Sequence, residues 1–374
     1  MSPQAVPKLF QPTVVGNHVL AHRVVLAPLT RSRADAEGVP SPHAVTYYAQ
    51  RAVVPGTLLI TEATFIAPFA GGGMQGSPGI WSEAQVEAWK RITHVVHEKG
   101  SRIFCQFWAL GRTADPDLLD AAGFPYVSAS DIKLSTYTRT PRALTVQEIK
   151  QYVDAHANAA RNAIRAGFDG IELLAANGYL IDSFLQDVSN NRTDAYGGSI
   201  ENRARFALEV IEGVAKEIGP ERTAIRFGPW GRLNDMRMED PKPQFSYLVS
   251  QIAERYPRFA WIHVVEPRGW GFTNSEPGPG ESNDFIREIW APRPLISAGG
   301  HTRESAFEFA EKGDLVAFGR YFIAHPDLPL RLAKNLPLEK GNRALYYVQG
   351  PEGYIDYPFA EERVKAIAES GQGQ

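Results

Sequence analysis

Residues 145–174, TVQEIKQYVDAHANAARNAIRAGFDGIELL, contain one complete helix and strand repeat. Thr145 followed by Glu148 is a capping box that begins a helix, and Gly167 directly after Ala166 ends it. The apolar run at residues 170–174 then predicts a strand. Because this run is apolar except for Glu172 and does not alternate, it indicates a strand buried on both faces, as in a parallel sheet covered by helices.

The same alternation extends along the whole chain. Eight apolar runs are predicted as strands: residues 24–27, 58–61, 103–108, 170–174, 223–226, 261–265, 294–297 and 315–318. Helix-length segments lie between them, for example at residues 82–99, 200–218, 245–255 and 302–312. Eight such units predict a closed (β/α)8 TIM barrel, and no interdomain linker is visible. We therefore expect a single barrel domain over 1–374, with a polar insertion around 112–142 that caps it.

Composition excludes several classes of protein. The 374 residues carry a net charge of −3, which argues against a nucleic-acid binder. Cys105 is the one cysteine, so the sequence offers no intramolecular disulfide or cysteine metal cluster. Its nine histidines show no ligand spacing, and we predict no metal site. No apolar run approaches the length of a membrane span, so a cytoplasmic location is expected.

Chemistry in a barrel of this type lies at the carboxyl ends of the strands. The polar or aromatic candidates there are Thr30, Gln106, Trp108, Asn177, Tyr179 and Arg226. Strands seven and eight end in the turns Gly299-Gly300 and Gly319-Arg320. Two glycine turns and an arginine at these two strands predict a site for a phosphorylated ligand.

Several motifs resemble those of one family. They include residues 26–33 (LAPLTRSR), 47–52 (YYAQRA), 106–112 (QFWALGR), 176–180 (ANGYL), 191–203 (NRTDAYGGSIENR) and 318–323 (FGRYFI). Together they resemble the Old Yellow Enzyme family, FMN-dependent ene reductases on a (β/α)8 barrel. Residues 104–106 and 264–268 are similar to its fungal secondary-metabolite branch.

The resemblance implies a role for each candidate. Pro28, Thr30 and Ala63 would lie along the flavin, and Gln106 and Arg226 would bind its pyrimidine edge. Gly299, Gly300, Gly319 and Arg320 would hold the FMN phosphate, while Trp108, Tyr346 and Tyr347 would line the substrate pocket. NADPH or NADH would be the reductant. Flavin N5 would deliver hydride to an activated alkene, and Tyr179 would supply the proton. The partners expected are a hydrophobic small molecule and, at most, a second copy of the chain in a homodimer.

One position departs from the family pattern. The family normally places His, then His or Asn three residues later, on the substrate carbonyl oxygen. This chain has Leu174 at the first position and Asn177 at the second. Since leucine cannot donate a hydrogen bond, the sequence leaves three alternatives: an activated substrate that needs one donor, another substrate pose, or a non-reductive isomerase or cyclase. A catalytically silent barrel is a further alternative, which the many retained flavin residues disfavour.

Overall fold

Eight parallel strands form a closed barrel in the computed structural model, which describes residues 5–71, 75–270, 273–274 and 276–361. The strands are β1 (Val24–Leu26), β2 (Leu58–Ile60), β3 (Arg102–Trp108), β4 (Gly170–Ala175), β5 (Thr223–Phe227), β6 (Trp261–Val265), β7 (Leu295–Ala298) and β8 (Leu315–Phe318). The ring closes because β1 pairs with both β2 and β8. All eight predicted strands are confirmed. β7 begins one residue later than predicted, since Pro294 has no N–H for a ladder.

Helices cover the outside of this barrel. They are α1 (Pro42–Arg51), α2 (Glu83–Glu98), α3 (Val146–Arg165), α4 (Ile200–Ile218), α5 (Lys242–Arg255), α6 (Asp284–Trp290), α7 (Arg303–Glu311) and α8 (Leu328–Lys334). The predicted capping boxes are present at Ser82 and Thr145, and each such cap contributes about 1 kcal/mol. α5 begins at Lys242, earlier than the predicted residue 245, because Pro243 is tolerated in a first helical turn.

A hairpin that the sequence analysis did not predict closes the amino-terminal end of the barrel. Its strands, Thr13–Val15 and His18–Leu20, pair antiparallel. Val15 and Leu20 are fully buried and belong to the same apolar cluster as Phe104 and Trp261 inside the barrel. This end is therefore filled with side chains, and the opposite end is the one available for a ligand.

The predicted insertion around 112–142 packs over the carboxyl ends of β3 and β4. It contains a short helix, Pro116–Ala121, and the parallel strand pair Val127–Ser128 and Arg142–Ala143. Leu119 and Tyr126 are buried in one cluster with Trp108. The insertion therefore caps part of the barrel mouth, as expected.

Smaller elements complete the chain. They are the helices Leu180–Leu185 and Arg320–Ala324, the strand Thr64–Phe65, the hairpin strands Gly269–Trp270 and Thr273–Asn274, and 3-10 turns at Lys8–Phe10, Pro68–Ala70, Gly111–Thr113, Pro220–Arg222, Leu233–Asp235 and Arg343–Leu345. Within the described ranges, no helix combines the length and the apolar character needed to cross a bilayer. Both ends of the predicted 1–374 domain, residues 1–4 and 362–374, lie outside the described residues.

Candidate active site

The interior of the barrel is layered. Near the amino-terminal end, an apolar layer contains Phe104, Ala224 and Trp261. Two residues further along β3, β5 and β6, the same strand face carries polar side chains, because side chains alternate along a strand. With Glu172 on β4, they form a polar layer that we define by four residues: Gln106, Glu172, Arg226 and His263.

Glu172 is the centre of the polar layer. Its side chain is fully buried, and it accepts hydrogen bonds from Gln106 Nε2 at 2.8 Å, Trp261 Nε1 at 2.9 Å and His263 Nδ1 at 2.9 Å. Burial alone would raise the pKa of Glu172, but His263, Arg226 and the hydrogen bond from Trp261 outweigh burial and lower the pKa. The carboxylate is therefore ionised inside the barrel.

Arg226 supplies the positive charge of this layer. Strand register places Arg226 beside His263 on one side and Leu174 on the other. Its Nε is buried and has no hydrogen-bond acceptor among the described residues. A buried donor without a partner costs about 1–3 kcal/mol, so this atom indicates a place where a ligand can supply an acceptor.

The barrel mouth above the polar layer is lined by aromatic and aliphatic side chains. The Trp108 ring stacks on Phe65 with centroids 4.8 Å apart and meets the Tyr179 ring edge-on at 5.1 Å. Leu174 and Ala63 are buried in the same apolar cluster. Trp108 Nε1 is a second buried donor that lacks a partner in the described part of the chain.

Tyr179 stands between this apolar rim and the charged layer below it. Burial raises the pKa of its phenol to about 12, although the charge of Arg226 opposes the shift and Tyr347 adds to it. The phenol is consequently protonated at neutral pH and can act as an acid.

The turn before Tyr179 is held in a left-handed conformation. Asn177 has φ +63° and Gly178 has φ +77°. Asp182 Oδ2 accepts the Gly178 N–H at 2.8 Å, and Asn234 Nδ2 donates to the Asn177 carbonyl at 2.7 Å. These two bonds fix the turn that carries two of the three predicted catalytic residues, Asn177 and Tyr179, while Leu174 lies on β4.

Glycines shape the turns after β7 and β8. Gly299 has φ +124° and Gly300 has φ +70°. A Cβ on Gly299 would lie only 3.2 Å from the backbone nitrogen of Glu266. Gly319 precedes the short helix that Arg320 begins, and the Arg320 side chain is exposed. The predicted phosphate residues therefore lie together at the ends of two adjacent strands.

The remaining predicted residues lie around the first strands and the C-terminal segment. Pro28 and Thr30 are half-buried in the loop after β1. Tyr346 is buried and Tyr347 is 41% exposed, with ring centroids 6.4 Å apart. Arg31 connects the two regions by donating to the Tyr346 carbonyl at 3.2 Å.

Sequence reasoning missed three buried groups near this site: Glu172, His263 and Asp182. Each is a charged or titratable residue within an otherwise apolar run, and that signal was visible in the sequence. Two surface grooves, of about 710 and 380 Å³, lie elsewhere and contain none of the predicted site residues. In the described parts of the chain, no cluster of three or more His, Cys, Asp or Glu residues is arranged for a metal.

Comparison with known proteins agrees with this geometry. Residues 8–339 match the model of the NADH:flavin oxidoreductase / NADH oxidase family. The chain is 49% identical to a chanoclavine-I aldehyde reductase of Penicillium roqueforti, over 96% of this chain and 98% of the relative. It is 42% identical to a protein of Claviceps fusiformis named as a probable inactive dehydrogenase, over 95% of each.

A solved structure shows the same fold. The Old Yellow Enzyme from Pichia sp. AKU4542 superposes with a TM-score of 0.88 at 37% identity, covering 96% of this chain and 95% of that one. The barrel, the polar layer and the family match lead to one assignment. The chain belongs to the NADH:flavin oxidoreductase (Old Yellow Enzyme) family, an FMN-linked oxidoreductase group that uses NAD(P)H as reductant.

Proposed function

We propose that this protein reduces the activated C=C bond of a hydrophobic α,β-unsaturated compound, using FMN and NAD(P)H. The observation that carries the proposal is the buried Arg226 Nε without an acceptor, directly below an apolar mouth that contains the neutral phenol of Tyr179. A guanidinium, a protonated phenol and an apolar surface therefore lie at one end of the barrel, which supports the proposal.

The residues present fit FMN. Gln106 and Arg226 would bind the pyrimidine edge, and the guanidinium would stabilise negative charge on the reduced cofactor. Pro28, Thr30 and Ala63 would lie along the ring system. The glycine turns explain how a phosphate can approach the backbone closely, since Gly299 and Gly300 adopt positive φ and lack Cβ atoms. Arg320 adjoins the second turn and would add a charge-assisted contact to the phosphate.

When bound, FMN supplies the hydride equivalent that NAD(P)H provides. Tyr179 would give its proton to the α-carbon of the substrate, because a phenol with a pKa of about 12 stays protonated until the transfer. The nearby charge of Arg226 lowers that pKa and would stabilise the phenolate left behind. Trp108, Leu174 and Phe65 would exclude water from the reacting atoms.

The substrate would be one that needs a single carbonyl donor. Asn177 would be the donor on the turn, while Leu174 would contribute only the apolar surface of the cluster to which it belongs. An α,β-unsaturated aldehyde with a large apolar body fits such a pocket. The Penicillium roqueforti relative is named as an aldehyde reductase, which supports this substrate class.

A non-reductive isomerase or cyclase is the second candidate, and Leu174 is the observation that favours it. Without a second donor, polarisation of the carbonyl is weaker, whereas Tyr179 remains in place to move a proton. One relative is named as a probable inactive dehydrogenase, and net reduction by this protein should therefore be measured directly.

An anaerobic titration of the flavin-loaded protein separates these functions. We expect NADPH to bleach the visible flavin band and an unsaturated aldehyde to restore it. A flavin that NADPH does not reduce, with isomerisation of the substrate, would favour the second candidate. Protein that cannot be loaded with FMN would contradict both.

The role of Tyr179 is tested in the second half of that experiment. Tyr179→Phe should be bleached by NADPH as fast as the wild type, but its reoxidation should slow by about 10²–10⁴. Tyr137→Phe is the matched control, because Tyr137 packs against the same apolar cluster and its hydroxyl donates to the Thr113 carbonyl at 3.2 Å. Equal slowing in the control, or none in Tyr179→Phe, would remove Tyr179 as the proton donor.

A further inference from the structure

We propose that Glu172 is a positioning residue for the cofactor, with two separable effects. It orients the amide of Gln106 so that the amide oxygen faces the flavin, and it partly neutralises Arg226. This inference rests on the proposed contacts of Gln106 and Arg226 with FMN.

The first effect follows from hydrogen-bond chemistry. Glu172 lies opposite Gln106 in the register of β3 and β4, and Gln106 Nε2 lies 2.8 Å from Glu172 Oε1. An ionised carboxylate can only accept, so the amide nitrogen must face Glu172. The Gln106 oxygen is then left as an acceptor toward the barrel mouth. With a neutral amide at position 172, the Gln106 amide would be free to turn over and present a donor there.

The second effect follows from charge. Glu172 on β4 attracts Arg226 on the neighbouring strand β5, and each group changes the pKa of the other. Burial lowers the pKa of His263 and outweighs the attraction of Glu172, so the imidazole is neutral and donates from Nδ1. Glu172 is therefore the anion of the polar layer, and its charge opposes the stabilisation that Arg226 gives to a negatively charged reduced flavin.

Two variants separate these effects. Glu172→Gln keeps the shape of the side chain but removes its charge and its acceptor-only character. We expect the FMN dissociation constant of the apoprotein to rise about tenfold, measured by quenching of FMN fluorescence. We also expect the two-electron reduction equilibrium of the bound flavin to shift about tenfold toward the reduced form, which raises its reduction potential by about 30 mV.

Glu172→Asp keeps the charge but withdraws the carboxylate from Gln106 by one methylene. The dissociation constant should rise as in Glu172→Gln, while the flavin potential stays near the wild-type value. If one of the two variants fails to fold, the other still tests orientation, because both are expected to weaken FMN binding.

Asp169→Asn is the matched control. Asp169 is also buried and hydrogen bonded, but it lies just before β4, where it accepts from the Ile103 N–H at 2.8 Å at the opposite end of the barrel. This variant should change thermal stability without changing FMN affinity or potential. If Glu172→Gln and Glu172→Asp both bind FMN with wild-type affinity and potential, the proposal is wrong.

Variants of the two residues that would contact FMN distinguish a failure of the positioning role of Glu172 from a failure of the proposed function. Gln106→Leu and Arg226→Met should each weaken FMN binding, and Arg226→Met should also lower the potential. If these two variants change neither quantity, the assigned cofactor contacts are wrong. If they do and the Glu172 variants do not, only the positioning role is refuted. In a Gln106→Leu background, Glu172→Asp should have little further effect on FMN affinity.

Discussion

Replacing Leu174 with histidine should supply the first of the two carbonyl donors in the family pattern, which leucine cannot provide. Leu174 lies on β4 beside Arg226 and is buried in the apolar cluster of Trp108. Its neighbour Leu173 packs into the outer core with the helices. Since side chains alternate along a strand, an imidazole at 174 would point to the barrel interior, three residues before Asn177.

The variant should gain transition-state stabilisation and lose folding stability. One oxyanion donor contributes about 10²–10³ in kcat, or about 2.7–4 kcal/mol of transition-state stabilisation. Burying an imidazole with incomplete hydrogen bonding costs about 1–3 kcal/mol of folding stability. The charge of Arg226 next to position 174 disfavours an imidazolium, so the ring should be neutral and donate one N–H. Leu174→His should therefore be less stable yet reduce simple enones at least about 100-fold faster.

The assay is anaerobic stopped-flow reoxidation of the reduced flavin by 2-cyclohexenone, with FMN content measured for each variant. Leu174→Met is the control, because it changes the side chain at similar volume and adds no donor. A folded, FMN-loaded Leu174→His variant with the wild-type rate would refute the argument. The same would follow if Leu174→Met accelerated the reaction equally.

Three further predictions follow from individual residues. Burial raises the pKa of Asp182 to about 7 from its usual 3.8, so ionisation of this carboxyl costs more in the folded than in the unfolded chain. The free energy of unfolding of the wild type, measured by urea titration, should therefore fall relative to that of Asp182→Asn as the pH rises from about 4 to about 7. Gly299→Ala should weaken FMN binding and lower stability, since its Cβ would meet the Glu266 backbone at φ +124°, whereas Gly123→Ala, with φ +76° and open space, should leave FMN binding unchanged. Burial raises the pKa of the Cys105 thiol to about 12, so a thiol reagent should label the protein only in urea.

Each of these predictions has an outcome that would contradict it. The Asp182 prediction would be contradicted if the unfolding free energies of the wild type and Asp182→Asn changed in parallel with pH. The Gly299 prediction would be contradicted if Gly299→Ala and Gly123→Ala bound FMN with equal affinity. For Cys105 that outcome is rapid labelling of the native protein.

The local sequence already predicted most of the barrel. Capping residues such as Ser82 and Thr145 define helix starts through contacts within four residues, and Gly167 ends a helix through its own backbone freedom. Because those signals depend on residues close together in the chain, they can be recognised in the sequence before the fold is known. The amino-terminal hairpin escaped prediction because Val14 and Val19 stay exposed and its short strands become buried only against the closed barrel.

The sequence by itself determined the (β/α)8 class, the resemblance to a flavin-dependent family and the residues that match its motifs. Only the tertiary structure decided how Gln106, Glu172, Arg226 and His263 meet in one buried layer. These residues come from four strands separated by long helical segments, and no local pattern encodes their register. Their hydrogen bonds exist because barrel closure aligns neighbouring strands and removes water, which makes a buried carboxylate depend on partners supplied by distant parts of the chain.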